Sequence, residues 1–253
     1  MSKPMFPVTA TLLDAREVPL TKFDALFAKI TQERNIADGY FLQTHPEDTR
    51  LLFVINGAPY GAGRAAGGEL GFLEIHEFFA AYQQHPTSPL SFFAADKRLL
   101  LGLMVLFRHA PSQTVEGAGE AAEVLQTLAA GGTDAILGLH AQDAWAVTIC
   151  TKGKPVACFL PPAGAEAAKE ATPGDQLVAY VSSLEAAGVE LRVYEETRVS
   201  PADDATRATP ENRGHLSEVF LRLAAQAAAA VPEEVPALEL ESVPVPASTP
   251  PPT

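Results

Sequence analysis

Two stretches of this chain carry residue types that chemistry uses. Gly61-Ala62-Gly63-Arg64-Ala65-Ala66 has the G-x-G-x-x-A spacing of a dinucleotide fingerprint, in which a strand delivers the glycines and a helix starting among them aims its amides at a pyrophosphate. That helix is missing from the pattern, because Gly67-Gly68 would interrupt it and the next apolar stripe begins only near Leu73. Residues 61–71 are therefore expected to form a flexible Gly-rich loop, and 161–174 a loop at the matching place between hairpin and helix. Glu74-Ile75-His76-Glu77 sets an imidazole among carboxylates, but no second His or Cys follows at i+4 to complete a metal pair. On a helix His76 points away from the stripe Ile75, Phe78, Phe79, so a solvated polar face is expected for it.

The remaining candidates are thinner. Cys150 and Cys158 flank Lys152-Gly153; a plain two-residue turn would oppose Cys150 to Pro155 and Cys158 to Val147, leaving the thiols out of register on opposite sheet faces. His45, His85, His109, His140 and His215 form no motif, and Ser182-Ser183 has no recognisable base. The chain contains no G-x-S-x-G, H-E-x-x-H or G-x-x-x-x-G-K-[ST] pattern. The residues thus assign no catalytic, cofactor-binding or metal-ligating position, and the chain is expected not to be an enzyme.

The elements around these residues occur in two matching sets. Phe23, Leu26, Phe27 and Ile30 lie at i, i+3, i+4, i+7, one apolar stripe of a helix, and Ala121, Val124, Leu125 and Leu128 repeat the spacing. Two strand-like runs follow around Asn56-Gly57, answered by runs around Lys152-Gly153; Asn-Gly is a strong hairpin signal because both turn positions need positive φ. A second stripe, Ile75, Phe78, Phe79 and Tyr82, is matched by Leu177, Tyr180, Val181 and Leu184. The strands Gly39 to Gln43 and Ala135 to Leu139 correspond in the same way. The first hairpin is apolar on both faces, which demands cover on both sides. Leu90 to Phe93 is expected as a last strand, and Leu99 to Phe107, the longest apolar run, as a buried helix too short to span a membrane. Thr21 with Asp24 suggests a capping box.

The fold class expected is α+β: two tandem small units, each an antiparallel sheet with a central β-hairpin flanked by helices. The first unit spans 1–110. The second, divergent unit spans 111–230 and includes a closing helix over Leu216, Val219, Phe220 and Leu223. Residues 231–253 are Pro-rich, acidic and free of aromatics, the composition of a disordered tail.

The run "LLDAREVPLTKFDALFAKI", "DGYFLQ", "RLLFVINGAPYGAG", "EIHEFFAAYQQHPTSPLSFF" between Ala10 and Asp96 resembles the bacterial PATAN-like domains, named for the PatA N-terminal region. The resemblance implies a protein-interaction module of signalling assemblies, often found beside receiver domains; no receiver domain is attached here, and it carries over no catalytic residues. A net charge of −13 with no Lys/Arg cluster beyond Lys97-Arg98 opposes nucleic acid and anionic lipid. Free thiols and the lack of a secretory pattern at Met1 to Pro7 point to the cytoplasm. The function expected is a non-enzymatic adaptor or regulatory module in bacterial signalling, with another protein as partner, no nucleic acid and no membrane insertion. The alternatives are a small-GTPase regulator of the longin or roadblock type, and a nucleotide-binding enzyme using the 61–71 loop.

Overall fold

The computed structural model describes residues 5–33, 35–117, 119–162, 171–184, 188–195, 198–208 and 210–230. The expected tail and most of the expected 161–174 loop lie outside them. Six strands form the first sheet: β1 (Ala10–Arg16), β2 (Gly39–Thr44), β3 (Thr49–Ile55), β4 (Ala58–Ala66), β5 (Glu69–Leu73) and β6 (Leu90–Ala94), in the order β1-β6-β2-β3-β4-β5. Five form the second: β7 (Gln113–Glu116), β8 (Ala135–Ala141), β9 (Ala144–Thr151), β10 (Lys154–Phe159) and β11 (Val189–Glu195), in the order β10-β9-β8-β11-β7. Every pairing between these strands is antiparallel. Among the described residues six α-helices accompany them: α1 (Phe23–Ala28), α2 (Ile75–Gln84), α3 (Lys97–Arg108), α4 (Glu120–Gly131), α5 (Pro173–Ser183) and α6 (Leu216–Ala230). The architecture is α+β. Without β5, the strand order of the first sheet is that of the second, element for element.

The period-2 alternation of each strand divides its apolar side chains between two cores. On β2 and β3, Tyr40, Leu42, Leu51 and Phe53 face α3, while Phe41, Leu52 and Val54 face the layer of α1, α2 and α6. On β9, Trp145 and Val147 face α3, and Ala146 and Cys150 face α4 and α5. The molecule is thus helices, sheet, one central helix, sheet, helices. This satisfies the demand for cover on both faces of the first hairpin. The apolar run 99–107 is buried on all sides because a sheet lies against each flank.

Close approach of α3 explains the glycines that resembled a fingerprint. A Cβ on Gly61 would strike the Met104 side chain, and one on Gly63 would strike the Phe107 ring. From the other flank, Gly138 leaves room for Leu106, and Gly102 of α3 itself faces Val147. The 61–71 segment is correspondingly not a loop. It runs through β4, a tight turn at Gly67-Gly68 with φ of +58° and +86°, and β5, so its amides belong to a ladder and no helix starts within it.

Two further expectations are corrected. The closing helix, expected with the second unit, packs on the first sheet: Phe220 stacks on Phe79 with centroids 5.2 Å apart. No capping box forms at Thr21, because α1 begins at Phe23. Asp24 instead reaches across the chain, accepting the Ser217 backbone N–H at 3.0 Å and its hydroxyl at 2.7 Å, and so caps the start of α6. The chain ends are interlaced in the same sense. The Met5 N–H donates to Asp143 C=O at 2.7 Å and its C=O accepts the Trp145 N–H at 2.8 Å, tying the N-terminal segment to the second sheet, while the segment after β11 returns to the first.

Candidate functional site

Where the sheets meet at one end, the β2–β3 and β4–β5 turns face the β8–β9 turn across a cleft of about 300 Å³, lined among others by His45, Asp48, Gly68, His140, Asp143 and Trp145. Residues scattered over a hundred positions of sequence converge here. His45 is buried at the end of β2. Its Nε2 lies 3.1 Å from Gln43 Oε1 and its Nδ1 3.2 Å from Ser88 Oγ. With the amide oxygen as acceptor, Nε2 carries the hydrogen and the Ser88 hydroxyl donates to Nδ1. Burial, then the Arg50 guanidinium, holds the His45 pKa below its ordinary value, so the ring is a neutral acceptor.

A hydroxyl on an imidazole is the beginning of a nucleophile and base. Here the third member is wrong for that task, because a Gln amide cannot stabilise an imidazolium as a carboxylate does. Ser88 is also fixed in a turn by its N–H to His85 C=O at 3.1 Å. The arrangement is a satisfied buried network, with the His85 ring edge-on to His45 at 5.0 Å.

Across the cleft His140 stacks on Trp145 at 4.7 Å, and the Arg192 guanidinium lies 5.2 Å from the same indole. Arg192 pairs with Glu190, reaches Glu69 at 3.6 Å and donates to Gly68 C=O at 3.3 Å. Burial, then Arg192, lowers the His140 pKa. The turn of the first sheet is thereby locked onto the inner face of the second.

The sequence-level candidates fall elsewhere. His76 is not a free surface residue: its backbone N–H and ring Nδ1 donate to Asp204 Oδ2 at 3.0 and 2.8 Å, and Asp204 is 2% exposed. The true capping box of this region is Glu74 with Glu77, at the start of α2. The two thiols, expected on opposite faces, share one. A bulge at Val156 sets Cys158 opposite Thr148 rather than Val147, while Cys150 keeps Pro155, and both cysteines pack in the core under α4 and α5. Both are free, and burial, then the neighbouring Cys158, pushes the Cys150 thiol up to about 11, which makes it a poor nucleophile. Ser182 spends its hydroxyl on Val178 C=O.

No spacing rule could have found His45 with Ser88 or His76 with Asp204, pairs 43 and 128 residues apart. Among the described residues no group of three His, Cys, Asp or Glu side chains is placed to hold a metal ion, and no helix is long and apolar enough to cross a membrane. Comparison with protein-family models, with curated proteins and with solved structures finds no match to this chain.

Proposed function

We propose that the chain is two tandem copies of one α+β unit, PATAN-like in character, and works as a non-enzymatic adaptor in a bacterial signalling assembly. The repeat reading is supported by detail at a constant offset of 96. Asp38 and Asp134 accept the Asn56 and Lys152 backbone N–H groups, and Gly57 and Gly153 donate to Ala37 and Thr133 C=O. All four turn residues have positive φ. Each hairpin then bulges at the same place, between Pro59 and Gly61 and between Pro155 and Ala157.

The observation that carries the adaptor reading is where the polar groups are spent. At the cleft His45 is bonded to Gln43 and Ser88, His140 is stacked on Trp145, and Arg192 is paired with Glu190 and bonded to Gly68 C=O, while strands such as β10 leave an outer edge unpaired by any described strand. An unpaired edge is a template for another chain. The cytoplasm, where thiols stay reduced, suits the two free cysteines.

Affinity capture from the native host with the full-length chain tests this reading. One or more proteins should be retained in a defined ratio to the bait over a charge-matched control. Retention of none, together with saturable turnover of any small molecule by the purified chain, would replace the adaptor by an enzyme.

A further inference from the structure

The segment that follows β11 shows what a partner of the second unit looks like. Residues 198–208 cross the first sheet, where the Ala202 N–H donates to Tyr60 C=O at 3.1 Å and Asp204 takes both hydrogen bonds of His76. Arg108 holds the same strap by the Ser200 and Pro201 carbonyls. Tyr60 is the bulge residue of β4, in the stretch of that strand before its pairing with β5 begins at Ala62.

At the equivalent positions of the second unit no described segment takes the place of this strap. The hairpin offset of 96 carries Tyr60 to Val156, the bulge residue of β10, and the helix-stripe offset of 102 carries His76 to Val178 on α5. Val156 is 48% exposed and Val178 37%, two of the three large apolar side chains that stand out into solvent among the described residues. Single exposed valines are ordinary on any surface. These two are set apart because their counterparts, Tyr60 and His76, are both held by the strap. Lys154 opens the same strand two residues before Val156 and Lys152 stands in the turn that precedes it; both are exposed.

We propose, resting on the repeat and adaptor reading above, that the β10 edge at Val156 together with Val178 is the docking site for an extended segment of a partner protein in which apolar and acidic residues alternate. The strap Ser200-Pro201-Ala202-Asp203-Asp204 does not alternate, but it is the internal example of the contacts, a backbone N–H offered to the bulge carbonyl with carboxylates close behind; the alternation comes from the strand period, which turns successive side chains to opposite sides. In the second unit a partner N–H takes the Val156 carbonyl. Its apolar side chains cover Val156 and Val178, and its carboxylates meet Lys152 and Lys154. Main-chain pairing supplies affinity, and alternate side chains supply specificity.

The test is fluorescence anisotropy of the full-length protein with a labelled hexapeptide alternating leucine and glutamate, beside a leucine and lysine counterpart. The glutamate peptide should bind saturably, weakening about tenfold in Lys154→Glu and in Val178→Glu, while the lysine peptide should not bind. Both side chains are exposed, so the variants should keep the wild-type circular dichroism spectrum. No saturable binding, or equal binding by wild type and both variants, overturns the proposal. So does binding that appears only after residues 231–253 are removed, which would give the edge to the chain's own Leu238-Glu239-Leu240-Glu241. Any of these failures leaves the capture of a host protein standing, so the site and the adaptor reading fail separately.

Discussion

The Asp38 carboxylate accepts the Asn56 backbone N–H at 2.8 Å, 18 positions apart with β2 and β3 running between them. It thereby fixes the entry to β2 and the first hairpin turn to each other. Asp134 does the same for Lys152 across the same sequence distance. A local electrostatic clasp is thus used at both turns, where the left-handed backbone of Asn56 and Lys152 costs more than a glycine would.

Asp38→Ala and Asp134→Ala should therefore each lower stability by about 1 kcal/mol, the usual net worth of a hydrogen bond, because both bonds are solvent-exposed. Urea denaturation of the two single variants and the double variant checks this. The double variant should show the sum, since the clasps belong to different sheets.

The strap makes a second prediction. Asp204→Ala leaves His76 and the first turn of α2 without their acceptor, and should cost about 1–3 kcal/mol. His76→Ala should cost about 1 kcal/mol, more than the change expected of a solvated surface residue. Thermal melts of both variants measure the difference.

How much of this was legible in the sequence depends on the range of the interaction. Stripes and turns are local, so Phe23 with Phe27, Asn56-Gly57 and Lys152-Gly153 announced their helices and hairpins. The bulge at Val156 shifts register by one residue, which no alternation pattern displays, and it carried Cys158 to the face opposite the one expected. Gly61 and Gly63 led to the expectation of a flexible loop, because a glycine kept for a passing helix and one kept for chain freedom look alike until Met104 and Phe107 are in place. Asp204, Ser88 and Asp24 act on partners far along the chain, and only the fold brings them there.

The two neutral histidines give stability a pH dependence. His45 and His140 both have pKa values held below the ordinary 6.5 by burial, so the unfolded chain binds more protons than the folded one near that pH. Their contribution is present above about 6.5 and is lost as pH falls through the folded values. Around His140 the groups that modulate this are Arg192, Glu190, Asp143 and Glu69; around His45 they are Arg50, Asp48 and His85. The urea midpoint should fall between pH 7 and pH 5, and His140→Gln should flatten that fall. A midpoint constant over this range would show that neither imidazole is held neutral.

That both sheets are built on α3 is the claim on which the rest stands, and native-state hydrogen exchange tests it most directly. Phe107 lies over Gly63 of the first sheet and Leu106 over Gly138 of the second, so each can be shortened to alanine at a cost of about 2–5 kcal/mol. The account predicts a reciprocal result: Phe107→Ala lowers protection of the slowest amides of β9 as much as those of β3, and Leu106→Ala does the same. Loss confined to the sheet that the substituted residue touches would contradict it, and would make the two halves independent bodies.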